Sequence, residues 1–327
     1  MTLRTRLTEK LGIRHPVLSA PMGGIAGGRL AGAVSEAGGL GLIGGGYGEQ
    51  AWLEREFAVA GNRRVGCGFI TWSLAKEPRL LDLVLAHGPA ALMLSFGDPG
   101  PFAKRIQDAA VVLICQVQSR DHALQALDAG AEIIVAQGTE AGGHSGGRAT
   151  LPLVPAVVDL VAQRRPEAIV VAAGGIADGR GLAAALTLGA EGVLVGTRFY
   201  ASMESLGHER AKACIVLGAA EDTVRTSVFD TVRGYRWPDG IAGRALRNDF
   251  TARWHGREHN LDAALDSEMP RYQAAAKGAD MDTAVVFAGE VADLINDLPP
   301  AGEIVTRLVA DAELVLTAAA GRVFRES

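Results

Sequence analysis

Basic charge is in short supply in this sequence. The 32 Lys and Arg stand against 37 Asp and Glu, a formal net charge of −5, and no Lys/Arg cluster is interleaved with aromatic residues. Gripping a phosphate backbone normally takes a basic stripe, so a nucleic-acid partner is excluded and an anionic ligand would need a local site. Cysteine is scarce as well. Cys67, Cys115 and Cys214 are an odd set without CxxC spacing, which speaks against a disulfide framework or a zinc centre and for reduced core thiols. No apolar stretch reaches about 18 residues without a glycine or a charge. The opening MTLRTRLTEKLGIRHP also lacks the apolar centre of a signal peptide. The expectation is a soluble, cytoplasmic protein with no membrane partner.

Glycine is what the chain has in excess, at 42 of 327 residues, and it gathers at the ends of apolar runs. A module recurs in which an Ala/Leu-rich helical stretch ends at a glycine and an apolar strand follows at once. Gly38-Gly39 leads into LGLIGGG, Gly88 into AALMLSFG, Gly130 into AEIIVAQG and Gly189 into AEGVLVGTRF. Glycine suits the position just past a helix, and a near-continuous apolar strand suits a parallel sheet covered by helices. The copies fit a βα period of about 30 residues. Eight strands are predicted: Val17–Ala20, Leu40–Ile43, Val65–Phe69, Ala91–Ser95, Val111–Gln116, Ile133–Gln137, Ile169–Ala173 and Gly192–Gly196. Alternating with helices, they call for an α/β fold, a (β/α)8 TIM barrel.

A doubly wound open sheet competes, because periodicity does not distinguish closure from twist. Its GxGxxG match at Gly39–Gly44 is weak, since the first glycines precede the strand instead of opening a helix after it. Beyond strand eight the alternation stops. Residues 221–282 are richer in Trp, Arg and charge and show no strand pattern, so they are expected to form a helical cap on the substrate side. Residues 1–220 and 283–327 would then make up the barrel, with helical stretches at Thr283–Leu298 and Glu303–Phe324.

Barrel active sites lie at the C-terminal ends of the strands. After strands seven and eight stand Gly174-Gly175 and Gly196-Thr197, turns whose free backbone N–H groups can hold a phosphate without a basic side chain. The blander reading is that these glycines only permit tight turns. After strand six comes Gly138–Gly147, a glycine-rich loop with a single imidazole, His144. Small neighbours leave room for a flat ligand beside it, and an imidazole exchanges protons near neutral pH. A loop histidine is more often merely a surface residue; its place at a strand end favours acid/base work.

GTEAGGHSG, AAGGIADGRGLAAALTLGAEGVLVGTRF and the opening HPVLSAPMGGIAGGRLAGAVSEAGGLGLIGGG together resemble the nitronate monooxygenase (2-nitropropane dioxygenase) family, as does RGYRWPDGIAGRALRNDF further on. The resemblance implies a TIM barrel with tightly bound FMN. Its phosphate would lie at Gly174, Gly175, Gly196 and Thr197. Ala20, Pro21 and Met22 would line the flavin, Gln116 would contact its ring or ribityl chain, and Gly142 and Gly143 would pass close to it. His144 falls on the family's catalytic histidine, which removes the proton α to a nitro group; the flavin takes the electrons and O2 completes oxidation to a carbonyl compound and nitrite. The partners implied are a small-molecule nitronate or nitroalkane and O2, with a homodimer left open.

One departure stands out. Many members carry Asn in a GVN-like motif after strand three, where this chain reads Gly66-Cys67-Gly68. The GGH and GGIADG stretches are also similar to FMN-dependent enoyl-acyl-carrier-protein reductases and NAD(P)H:quinone reductases, although no dedicated nicotinamide fingerprint is visible. A further alternative is a non-catalytic barrel that only holds flavin or phosphate. Trp72 reads equally as a pocket wall or as core. Arg236, Trp237 and Arg247 would shape the pocket mouth or dock the cap. His255 and His259 have ligand-like spacing if helical, but their charged surroundings suggest a solvated face and no metal.

Overall fold

The computed structural model describes residues 3–323. Eleven strands run β1 (Val17–Ser19), β2 (Leu42–Gly46), β3 (Gly66–Ile70), β4 (Ala91–Ser95), β5 (Val112–Val117), β6 (Ile133–Gln137), β7 (Gly143–Ser145), β8 (Ile169–Ala173), β9 (Val193–Val195), β10 (Thr223–Thr226) and β11 (Ala242–Leu246). Eight of them form one sheet in the order β1-β9-β8-β6-β5-β4-β3-β2, parallel throughout. A parallel bridge from Leu18 to Leu40 joins its two ends. The architecture is the expected (β/α)8 barrel.

Period-two alternation divides each strand between two cores. Ala91, Met93, Ile114, Ile133, Val135, Ile169 and Val171 point inward and fill the barrel. Leu92, Leu94, Leu113, Ile134, Ala136 and Val170 point outward and meet the helices. Leu7 and Leu11, from the short helix Arg6–Leu11, join the inner cluster and plug the barrel floor, leaving the opposite end for the site. The last helix, Ala301–Val323, buries Ile304, Leu308, Val309 and Ala312 against the barrel's outer layer, as its periodicity predicts. It packs beside helices Gly179–Thr187 and Gly28–Glu36 and so completes the ring. The predicted end at Phe324 lies outside the described residues.

Two expectations fail. The segment after strand eight is not purely helical: β10 and β11 pair antiparallel with each other, and β11 pairs with β7, the strand that carries His144. These strands read as polar because their long charged residues work inside the structure. Arg244 is 9% exposed; its guanidinium donates to the Thr139 carbonyl and Thr223 hydroxyl, and is ion-paired with Glu290 at 2.8 Å. Helices Asp249–Trp254 and Glu258–Lys277 complete the segment, and His255 falls between them, so it shares no helical face with His259. The second failure is Thr283–Leu298, which forms a β-bridge from Phe287 to Ala245 and then a short 3-10 turn, Glu290–Leu294, instead of a long helix. Tertiary contacts fix it there. Gly289 donates to the Thr197 hydroxyl at 3.0 Å and Glu290 N–H to the Glu140 carbonyl at 3.0 Å, which stitches the segment across the loops after β6 and β9.

Cys67 and Cys115 are buried, and burial pushes both thiols up to about 12. They are inert core residues. No helix among the described residues is long and apolar enough to cross a membrane.

Candidate active site

The strand ends open into a cavity of about 630 Å³, the size of a cofactor or substrate pocket. Every residue that the sequence offered for cofactor binding or acid/base work lines it. Ala20, Pro21 and Met22 come from the end of β1, Gln116 from β5, Gly142, Gly143 and His144 from the loop after β6, Gly174 and Gly175 from the end of β8, and Gly196 and Thr197 from the end of β9.

The glycine pair fits an anion, though not through the helix that follows it. Asp178 caps that helix itself, accepting from the N–H groups of Arg180 and Gly181. The free donors lie earlier: the amides of Gly175, Ile176 and Ala177 donate to no acceptor among the described residues. Gly174 and Gly175 have φ of +93° and +72°, which L side chains rarely adopt. Consecutive amides in such a turn form a concave donor nest. Across from it, Thr197 accepts from Gly289 through its hydroxyl oxygen and keeps the hydroxyl hydrogen to donate. Glu140 also lines the cavity, but its carboxylate is drawn aside by the N–H and hydroxyl of Thr150, at 3.0 and 2.8 Å. That leaves the nest open to an anion.

His144 is the only histidine among the described residues that line the cavity. Its backbone is fixed by pairing with Gly243 in β11, and its carbonyl accepts from Gln137, which is held in turn by Gln118. Its ring stacks on Trp237, centroids 3.5 Å apart and planes within 8°, and tilts against Phe287. Its Nε2 lies 2.8 Å from Oδ2 of Asp230, with both side chains buried. Around this ring stands an aromatic wall. Tyr47 stacks on Tyr235 at 3.8 Å and its hydroxyl accepts from Trp237 Nε1, while Phe96 meets Trp237 edge-on. Burial raises the Tyr47 phenol above its ordinary range, so it stays protonated. Arg233 lies over the faces of Tyr235 and Phe287 on the cavity wall, one of its terminal nitrogens buried with no hydrogen-bond partner.

Several of these residues escaped the sequence reading. Asp230 and Tyr47 lie just outside the stretches singled out in the sequence, and Arg233 and Tyr235, although inside RGYRWPDGIAGRALRNDF, were given no role there; proximity in space reveals all four. Trp237 turns inward to the site, whereas Arg236 and Arg247 do not line it. Trp72 stands one layer behind, edge-on to Tyr47 and Trp237.

Gly68, where the resemblance led to an expectation of Asn, faces the cavity, and a Cβ there would strike Cγ and Cβ of Pro21. Pro21 fills that space. Substitution Gly68→Ala should therefore destabilise the protein by about 1–3 kcal/mol, the usual cost of overpacking. Chemical denaturation measures it, and an unchanged midpoint would mean Pro21 moves freely.

Comparison with known proteins agrees with this geometry. A family model described as nitronate monooxygenase matches residues 4–62 and 69–311, and the unmatched stretch includes Gly68. Nitronate monooxygenase of Neurospora crassa is 34% identical, the match covering 92% of this chain and 90% of that protein. A hydroxy-methyl-oxo-octahydro-indene-carboxyl-CoA dehydrogenase of Mycobacterium tuberculosis is 30% identical over 95% of this chain and 97% of its own. Among solved structures, FabK from Thermotoga maritima superposes with a TM-score of 0.86 at 31% identity, covering 98% of this chain and 100% of that one. With a family match over nearly the whole barrel and a histidine set into its mouth, the chain belongs to the nitronate monooxygenase family of flavin-dependent oxidoreductases.

Proposed function

We propose that the protein binds FMN and oxidises alkyl nitronates, together with the nitroalkanes that give rise to them, using O2 and releasing a carbonyl compound and nitrite. The observation that carries this reading is the setting of His144: one imidazole, oriented by fixed partners, in a cavity of glycine and aromatic walls.

The residues present fit the cofactor. The nest at Gly174 and Gly175 with Gly196 and Thr197 would hold the phosphate; Ala20, Pro21, Met22, Gly142 and Gly143 would border the ring; Gln116 would contact the ring or ribityl chain. When bound, the flavin supplies the electron-accepting chemistry. The protein does the rest. His144 takes the proton α to the nitro group of a neutral substrate, and Arg233 offers the nearest guanidinium for the anion so formed or delivered. The wall of Tyr47, Tyr235, Trp237 and Phe287 shields that charge pair from water and so strengthens it. Residues 221–282 serve as the substrate-side cap, since Asp230, Arg233, Tyr235 and Trp237 all come from them.

The test is direct. The purified protein should show flavin absorbance, released as FMN on denaturation, and anaerobic alkyl nitronate should bleach it at once while NADH should not over the same interval. Fast bleaching by NADH with none by nitronate would make it a reductase. Lack of flavin after FMN reconstitution would remove the reading altogether.

A further inference from the structure

We infer that Asp230 decides which nitrogen of His144 accepts the proton, by receiving Nε2–H and leaving the lone pair on Nδ1; this rests on the reading of His144 as the base. An ionised carboxylate only accepts hydrogen bonds, so the ring nitrogen 2.8 Å from Asp230 Oδ2 carries the hydrogen. A neutral imidazole has a single N–H, and its other nitrogen is then the base. Nδ1 has no hydrogen-bond partner among the described residues and is not sealed from solvent, whereas Asp230 does not line the cavity.

The carboxylate is held firmly. Asp230 sits on the short helix Val228–Val232, whose Val228, Phe229 and Val232 are buried with Phe250, Leu261 and Tyr272 in a hydrophobic cluster outside the barrel. The Asp230 carbonyl accepts from the N–H groups of Arg233 and Tyr235, at 3.1 and 2.9 Å, which closes the turn after the helix. On the other side, Trp237 and Phe287 restrain the His144 ring and β11 restrains its backbone. Both partners of the 2.8 Å contact are thus preset.

A purely structural role accounts poorly for the other carboxylate oxygen. Asp230 Oδ1 is buried with no hydrogen-bond partner, a state that is costly in a protein interior. It makes sense where the carboxylate waits for a positive charge. When the substrate's α C–H bond breaks, its proton moves to Nδ1, the electron pair stays on the substrate as the nitronate, and the ring becomes imidazolium beside Asp230. Nε2–H is donated to Asp230 throughout, so the carboxylate never takes the proton. The proton then returns to water at the cavity mouth. The barrel supplies the histidine, and the segment after it supplies the orientation.

The test uses FMN-loaded protein labelled with ¹⁵N at histidine. At about pH 8.5, well above the ordinary imidazole pKa, two-bond ¹H–¹⁵N correlation should show His144 protonated on Nε2, the signal being assigned by its absence from the His144→Ala variant. A hydrogen on Nδ1 would overturn the inference. In Asp230→Asn and Asp230→Ala the ratio of nitroalkane to nitronate turnover should fall by about 10- to 100-fold, the scale on which such orienting partners act. Flavin content and near-UV circular dichroism check the fold of each variant. An unchanged ratio in both folded variants would also overturn it. If His144→Ala itself turns over nitroalkane normally, it is the base reading that fails.

Discussion

Replacing His144 with alanine is expected to lower the turnover of a neutral nitroalkane by about 100- to 10,000-fold, the usual contribution of a positioned acid/base group. The loss should be severe because no other side chain can take over. Glu140 is engaged by Thr150 at 2.8 Å, Tyr47 is kept protonated by burial, and Glu49 lies exposed at the rim. Asp230 does not line the cavity. An alkyl nitronate has already lost its α proton, so its turnover should fall much less. The variant should still fold, since β7 and β11 pair through backbone groups that the substitution leaves in place. Steady-state kinetics with the neutral nitroalkane and the pre-formed nitronate separate the two cases. Equal losses with both substrates would assign His144 to binding instead of proton transfer.

What could be read from the sequence follows from where the driving forces are local. The barrel is legible because buried parallel strands are apolar on both faces, and because a glycine marks several of the helix-to-strand steps, as at Gly88, Gly130 and Gly189, all with positive φ. Strand two begins later than expected, since Leu40 makes only an isolated bridge and the ladder continues through Gly44–Gly46 with a register shift. Glycines that look like a turn in the sequence are strand here, and they admit close neighbours: a Cβ on Gly44 would strike the Met22 carbonyl. The phosphate-type turns and His144 were legible for a related reason, since small residues at strand ends have no packing role to hide behind.

The segment after strand eight was not legible because its order comes from distant partners. Thr223–Thr226 and Ala242–Leu246 become strands by pairing across a helix and a loop, with half-buried Arg225 and buried Arg244 in place of apolar alternation. Asp230 reads as an ordinary acidic residue until the fold sets it beside a histidine 86 positions away. Tyr47 and Trp237, 190 positions apart, meet the same way. The barrel and the aromatic wall beside His144 thus differ in how far apart their determinants lie.

The donor nest proposed for the phosphate permits a test that isolates charge from shape. Gly175 has φ of +72°, and a Cβ there would meet only Glu140, at 3.5 and 3.8 Å, which is ordinary contact. Asn and Asp tolerate left-handed backbone better than other L residues. Gly175→Asn should therefore fold and keep much of its cofactor, whereas Gly175→Asp sets a carboxylate into the donor nest. Unit charges at about 4 Å repel by about 4 kcal/mol near a protein surface, and a phosphate dianion carries two. Weakening by solvent still leaves FMN affinity at least about 100-fold lower for Asp than for Asn, at about 1.4 kcal/mol per factor of ten. Riboflavin, which has no phosphate, should bind the two variants alike. Fluorescence titration of apoprotein with each flavin measures all four affinities. A Gly175→Asp protein that binds FMN as tightly as Gly175→Asn would place the phosphate elsewhere in the cavity, and an equal loss of riboflavin would trace the effect to backbone strain.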